Sequence, residues 1–113
     1  MHEMSLCEGV LQVIEAEARA QHFLRVRRVR LEVGALACVE PEAMHFSFDA
    51  VTRGTLAQGA KLEIIRVAGE AWCLSCARAV SVDRRYENCP DCGSVLLQLT
   101  GGEELKIKSL EVE

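Results

Sequence analysis

Four of the six cysteines in this chain of 113 residues form two C-x-x-C pairs, and this spacing constrains the fold more than any other feature. The first pair is Cys73 and Cys76, the second pair is Cys89 and Cys92, and twelve residues separate the two pairs. This is close to the spacing of a four-thiolate zinc site, in which four protein ligands leave no open coordination position. The pattern predicts a structural zinc site.

The segment that holds these cysteines, roughly residues 68–102, has few large apolar side chains. Chains below about 40 residues usually need a metal or a disulfide to fold, so we interpret residues 68–102 as an inserted zinc-binding domain. Two disulfides, a redox-active C-x-x-C pair and iron in the same four-sulfur cage are the alternatives. Disulfides require an oxidising compartment, and the spacing alone does not separate iron from zinc.

The rest of the chain, residues 1–67 and 103–113, has the periodicity of a small α+β domain with two helices. Apolar residues recur at helical spacing over roughly residues 6–21, and Ser5 and Glu8 fit a capping box at the start of that helix. Pro41 suits the first turn of a second helix over residues 41–52, which Gly54 follows.

Three segments alternate apolar and polar residues, which is typical of strands with one buried face. They lie at residues 29–33, 61–67 and 105–112. In the third segment Leu105 and Ile107 point inward, but Leu110 and Val112 have the opposite parity. We therefore expect a bulge, or burial on both faces, near Ser109. The pattern predicts a three-stranded mixed sheet.

Composition narrows the function classes. Thirteen basic against seventeen acidic residues give a net charge of −4, which disfavours binding to a phosphate backbone. No apolar run is long enough to span a bilayer and no signal-peptide pattern opens the chain, so we expect a cytoplasmic protein without a membrane anchor. No phosphate-binding loop, nucleophile elbow or H-E-x-x-H motif indicates an enzyme, and we predict no catalytic residues.

The first three residues, Met1, His2 and Glu3, offer nitrogen donors that suit a square-planar ion. The α-amino group, the His2 imidazole and the adjacent backbone amides can form fused chelate rings, and Ni(II) and Cu(II) favour that geometry. A terminal histidine is more often simply solvated, because chain ends fray. The tripeptide by itself leaves both interpretations open.

Several reactive or charged residues have simpler interpretations. Cys7 and Cys38 are predicted to be small buried residues rather than ligands, because free cysteine is among the most buried residue types. His22 and His45 are not predicted to bind metal. The arginines between residues 25 and 30 are predicted to form a solvated strand edge that deters edge-to-edge pairing, with docking of an acidic partner as the alternative.

Taken together, the motifs of this chain resemble those of the HypA/HybF hydrogenase maturation proteins. The resemblance covers nearly the whole length. It rests on the N-terminal M-H-E-M-S-L, the L-E-V-G at residues 31–34, E-P-E at residues 40–42, F-S-F at residues 46–48, both cysteine pairs within C-x-x-C and C-P-D-C-G-S, and the C-terminal E-L-K-I-K-S-L-E-V-E.

This resemblance implies a nickel metallochaperone that helps insert Ni(II) into the large subunit of [NiFe]-hydrogenase, together with the GTPase HypB. In some organisms, relatives also serve urease. His2 would be the essential nickel ligand, assisted by the Met1 amine and the backbone nitrogens of His2 and Glu3, while the Glu3 side chain tunes the site. The four paired cysteines would hold structural Zn(II) in a zinc-ribbon-like insertion, and Ni(II) would be bound only transiently.

Two other functions compete with nickel delivery. The first is a zinc-ribbon adaptor that binds protein or nucleic acid without nickel transfer, for which Arg84, Arg85 and the arginines of residues 25–30 are the best support. The second is a thiol oxidoreductase that uses Cys7 or Cys38. The sequence leaves open whether the protein is a monomer or a homodimer.

Overall fold

Residues 2–113, which the computed structural model describes, form an α+β fold with two α-helices and six strands. The strands make two three-stranded sheets, in the orders β2-β1-β6 and β4-β3-β5. The predicted bounds of the second helix and of the strands at residues 61–67 and 105–112 are confirmed. The elements are α1 (His2–Gln21), β1 (Val26–Gly34), α2 (Pro41–Thr52), β2 (Lys61–Val67), β3 (Gly69–Cys73), β4 (Arg78–Val82), β5 (Leu97–Gly101) and β6 (Leu105–Val112).

Helix α1 begins at His2, so the predicted capping box at Ser5 is wrong. Ser5 lies within the helix, and the buried face consists of Cys7, Val10 and Ile14 at the expected spacing of three to four residues. The helix therefore extends almost to the N-terminus, and its first turn includes His2 and Glu3.

The chain divides into two compact units. The first, here called the helical unit, comprises the residues up to Leu31, Val39–Ile64 and Ile107–Glu113. The second, the cysteine unit, comprises Glu32–Cys38 and Ile65–Lys106. Helices α1 and α2 pack together in the helical unit, where the largest buried side chains are Ile14, Val29, Leu31, Met44 and Phe48.

Strand β1 is the central strand of its sheet, so the prediction that its arginines form a solvated edge is wrong. The Arg28 guanidinium donates hydrogen bonds to Glu63 and, at 2.6 Å, to Glu111, while Arg30 donates to Glu63 at 2.9 Å. The hydrogen bond with Glu63, followed by that with Glu111, raises the pKa of Arg28, and the bond from Arg28 lowers the pKa of Glu63. The arginine run is therefore largely paired within the sheet.

Strand β6 shows the predicted burial on both faces near Ser109, because the adjacent residues Ser109 and Leu110 are both half-buried. Ser109 and Glu111 contact Arg30 and Arg28 on the arginine face of the sheet. Ile107, Lys108, Ser109 and Leu110 all line a groove beside α1. The predicted bulge itself stays a prediction.

The cysteine unit is built on the antiparallel sheet β4-β3-β5, in which Cys73 lies opposite Arg78 on one side and Leu97 on the other. Its core includes Leu36, which comes from a 3₁₀ turn at Ala35–Ala37 after β1 and is only 1% exposed. Arg85 donates a hydrogen bond to the Leu36 carbonyl at 2.9 Å and pairs with Glu103 at 2.8 Å. A segment distant in sequence thus completes this core.

Three glycines of the cysteine unit allow its backbone segments to approach closely. A Cβ atom on Gly34 would overlap the carbonyl of Gly102, and one on Gly102 would lie 2.5 Å from the Cα atom of Gly69. Gly102 also has a φ of +83°, which L-residues rarely adopt. No side chain fits at this crossing without displacing the backbone.

We therefore expect Gly102→Ala to destabilise the protein by roughly 2–4 kcal/mol, because it combines backbone strain with a steric clash. Gly54→Ala is the matched control, since Gly54 has a φ of +78° but no neighbouring atom within 4 Å of the new Cβ. It should cost only about 1 kcal/mol. Urea unfolding measures the free energy of unfolding of both variants. An equal loss of stability in the two variants would show that the steric clash at Gly102 contributes nothing.

Candidate metal centre

The structure brings the four paired cysteines together around one point. All four Sγ atoms lie within 4.8 Å of one another, with 3.7 Å between Cys73 and Cys92 and 3.9 Å between Cys76 and Cys89. A tetrahedron with metal–sulfur distances of about 2.3 Å has edges of about 3.8 Å. The four thiols are unpaired and have the spacing that one tetrahedral ion requires.

The two C-x-x-C turns have the same local geometry. In each turn the residue after the second cysteine donates its N–H to the carbonyl of the first cysteine, from Ala77 to Cys73 and from Gly93 to Cys89, both at 2.8 Å. Ala77 and Gly93 both have left-handed backbones, with φ values of 54° and 75°. The sequence indicates this geometry only at Gly93, because alanine rarely adopts it.

Backbone N–H groups stabilise negative charge on the sulfur atoms. The N–H of Cys76 donates to the Sγ of Cys73 at 3.3 Å. Burial raises the pKa of the Cys89 thiol, but the backbone N–H groups of Cys92 and Asp91 outweigh this effect and lower the pKa to about 7. Thiolates are the form that binds metal, and a coordinated divalent ion deprotonates its thiol ligands. The donor set therefore fits zinc.

Of the predicted N-terminal site, Met1 lies outside the described residues. The His2 side chain is 56% exposed, whereas that of Glu3 is only 16% exposed. The Glu3 carboxylate accepts a hydrogen bond from the Glu40 N–H at 3.2 Å and lies 3.8 Å from the His2 Nδ1. The N–H of Glu40 is the largest influence that lowers the pKa of Glu3. This link between α1 and the start of α2 has no signal in the sequence.

The isolated cysteines differ from each other. Cys7 is buried as predicted, its thiol donates to the Met44 carbonyl at 3.6 Å, and burial raises its pKa to about 11. The prediction that Cys38 is buried is wrong, because the backbone there is left-handed, with a φ of 58°, and the residue is exposed. His22 and His45 are exposed, and neither joins a metal-binding cluster within residues 2–113.

An α+β chain in which four cysteine thiols converge on one point has the features of a small metal-binding protein. Residues 1–112 match the profile of the family described as "Hydrogenase/urease nickel incorporation, metallochaperone, hypA". The chain belongs to the HypA family, so the resemblance seen in the motifs is confirmed. Members of this family are maturation factors and not catalytic enzymes, which agrees with the sequence prediction.

The similarity to curated relatives extends over whole chains. The chain is 63% identical to hydrogenase maturation factor HypA from Alkalilimnicola ehrlichii and 58% identical to that from Acidithiobacillus ferrooxidans, each over 113 residues and the full length of both proteins.

Two solved structures share the fold. The solution structure of the nickel metallochaperone HypA from Helicobacter pylori has a TM-score of 0.70 and 21% identity, and covers 97% of this chain and 96% of its own. A second solution structure of a HypA protein has a TM-score of 0.72 and 23% identity, and covers 100% of this chain and 97% of its own. Within residues 2–113, neither helix combines the length and apolar character needed to cross a bilayer.

Proposed function

We propose that this chain is a nickel metallochaperone that delivers Ni(II) during the maturation of [NiFe]-hydrogenase. The observation that carries the proposal is the position of His2, an exposed imidazole in the first turn of α1 in a chain of the HypA family. We further propose that residues 1–67 and 103–113 form a nickel-binding domain and residues 68–102 an inserted zinc-binding domain.

Nickel would be held by the Met1 amine, the His2 imidazole and the backbone nitrogens of His2 and Glu3. The first four N–H groups of a helix have no intrahelical acceptor, so loss of the amide protons at His2 and Glu3 breaks no hydrogen bond of α1. Square-planar coordination by four nitrogens suits Ni(II). The backbone nitrogens at the start of the helix are therefore available to a metal, whereas those further along the helix are held in its hydrogen bonds.

In this proposal the Glu3 carboxylate positions the first turn of α1 and is not itself a nickel ligand. It is already engaged by the Glu40 N–H, which ties the first turn of α1 to the start of α2. Its negative charge also lies beside the His2 ring. Glu3 therefore tunes the site through its side chain and contributes its backbone nitrogen as the ligand.

The two metals would have different lifetimes on the protein. Four cysteine ligands close the zinc site and make it structural, since no position remains for another group. The exposed N-terminal site lets nickel enter and leave. Copper binds such nitrogen donors more strongly than nickel, so selectivity would come from metal supply and partner docking rather than from affinity.

The partners in this proposal are the nickel-handling GTPase HypB and the hydrogenase large subunit. The chain would bind both of them in the cytoplasm. Neither a membrane nor a nucleic acid is required. The pairing of Arg28 and Arg30 with carboxylates supports this function over a zinc-ribbon adaptor, because those arginines are engaged within the sheet. A surface on which an adaptor binds its partner would have to lie away from Arg28 and Arg30.

Complementation tests the proposal. In a bacterium whose own HypA-family gene is deleted, this chain should restore hydrogenase activity, whereas His2→Ala should restore little or none. His45→Ala is the control, because His45 is also exposed but lies on α2. Added nickel should partly rescue His2→Ala if metal supply is the defect. Full activity with His2→Ala would contradict the proposal.

A further inference from the structure

The four cysteines of the metal centre differ in their exposure to solvent. Cys73 and Cys89 are buried, whereas Cys76 is half-buried and Cys92 is exposed. Four protein ligands leave zinc no open position, so a competing ligand has to displace a thiolate before it binds the ion. Cys92 is the thiolate that such a ligand reaches most easily. Any movement that separates the two C-x-x-C turns makes this displacement easier.

A salt bridge connects the two turns. Arg78 directly follows Ala77, the residue that closes the first turn, and its guanidinium donates a hydrogen bond to the Asp91 carboxylate at 2.8 Å. Asp91 lies inside the second C-x-x-C pair, between Cys89 and Cys92. Among residues 2–113, neither Arg78 nor Asp91 has a second ion-pair partner.

Each end of this salt bridge is also attached to a cysteine through the backbone. Arg78 lies opposite Cys73 in the antiparallel register of β3 and β4. The backbone N–H of Asp91 is hydrogen-bonded to the Cys89 thiol. The salt bridge therefore links the strand that carries one buried cysteine to the turn that carries the other.

A hydrogen bond between two serines connects the turns a second time. The Ser75 hydroxyl, inside the first C-x-x-C pair, donates to the Ser94 hydroxyl at 3.0 Å. Ser94 lies two residues after Cys92, and its hydroxyl also accepts a hydrogen bond from the Leu96 N–H at 3.0 Å. Both connections are thus made by residues that adjoin the cysteines and are not ligands themselves.

We propose that the Arg78–Asp91 salt bridge, supported by the hydrogen bond between Ser75 and Ser94, holds the two C-x-x-C turns together and slows the loss of zinc. This inference rests on the proposed zinc ligand set. An isolated exposed salt bridge adds little to the stability of a fold. Here it fixes the relative position of two pairs of ligands, and groups that hold metal ligands in place commonly control metal affinity.

Transfer of zinc to EDTA tests the proposal, with untagged protein that carries one zinc ion per chain. Asp91→Ala keeps the backbone N–H to Cys89 but removes the salt bridge, so it should lose zinc roughly fivefold faster than the wild type. Asp83→Ala is the matched control, because Asp83 pairs with Arg66 at 3.0 Å in the same unit and outside the metal centre. Arg66 and Arg78 are 60% and 61% exposed, and Asp83→Ala should lose zinc at the wild-type rate.

Charge reversal separates the pair from the separate effects of its two residues. Arg78→Asp and Asp91→Arg should each lose zinc faster, because like charges then face each other. The double variant with both changes should return close to the wild-type rate. Equal rates for Asp91→Ala and Asp83→Ala, or a double variant that loses zinc as fast as the single variants, would overturn the proposal. A wild-type chain that does not bind stoichiometric zinc would overturn the ligand set and this inference with it.

Discussion

Replacement of Cys73 by alanine is expected to remove the bound zinc and unfold the cysteine unit. Structural zinc contributes about 10–16 kcal/mol to folding in small metal-dependent modules. The apolar core of this unit consists of only Leu36, Ala71, Val80, Val82 and the cysteines, with Leu97 and Leu99 partly buried against it. Such a core does not replace the metal, and three remaining thiolates leave the tetrahedron incomplete.

The measurement is zinc content by elemental analysis, together with an amide NMR spectrum. Cys73→Ala should lose essentially all zinc, and the amide signals of β3, β4 and β5 should collapse to unfolded positions. Cys38→Ala is the matched control, because Cys38 is exposed and lies outside the cluster. It should keep its zinc and its spectrum. Stoichiometric zinc and native dispersion in Cys73→Ala would contradict the proposed ligand set.

The second large effect is expected at the proposed N-terminal nickel site, where His2→Ala should abolish stoichiometric square-planar nickel binding. Changes around a metal ligand commonly cost 10–100-fold in affinity, so we expect loss of the ligand itself to cost at least about 100-fold. A Gly-Ser extension before Met1 should have a similar effect, because it moves the α-amino group away from His2. The zinc content should not change in either variant.

Calorimetry and d–d absorption during Ni(II) titration distinguish the outcomes. His45→Ala controls for nonspecific imidazole binding and should bind nickel like the unmodified chain. If the unmodified chain, His2→Ala and the extended chain all bind equally, neither His2 nor the α-amine is a ligand. Nickel would then bind elsewhere on the chain, or the zinc-ribbon adaptor function without nickel transfer would become the favoured one.

In the proposed function, the accessibility of the two sites separates a permanent metal from a transferred one. At the four-cysteine centre, Cys73 and Cys89 are buried and the turns supply N–H groups to the sulfur atoms. At the N-terminus, His2 is exposed, and only Glu3 is tied to the rest of the helical unit. A closed site retains its ion, whereas an exposed one permits ligand exchange with a partner.

Local patterns predicted much of the fold because their causes are local. The two C-x-x-C turns contain their own ligands, and Gly93 permits the left-handed backbone that closes the second turn. Pro41 and Gly54 mark the ends of the second helix, whose bounds were predicted correctly. The change in parity of the apolar residues of β6 predicted burial on both faces near Ser109, where Ser109 and Leu110 are both half-buried.

The errors concern properties that depend on distant residues. The arginines of β1 have the composition of an exposed edge, yet β1 is central because β2 and β6 pair on its two sides. Cys38 has an apolar character that predicts burial, but its backbone is left-handed and the residue is exposed. The Ser5–Glu8 pattern fits a cap, although α1 starts earlier, at His2.

The sequence by itself determined the α+β class, the four-thiolate centre and the family, because periodicity, ligand spacing and motifs are properties of the chain. Only the tertiary structure decided that Leu36 fills the core of the cysteine unit, that Glu3 hydrogen-bonds to Glu40, and that β1 lies between β2 and β6. The physical reason is that burial, long-range hydrogen bonds and strand order depend on contacts between segments that are distant in sequence. Local sequence patterns do not specify those contacts.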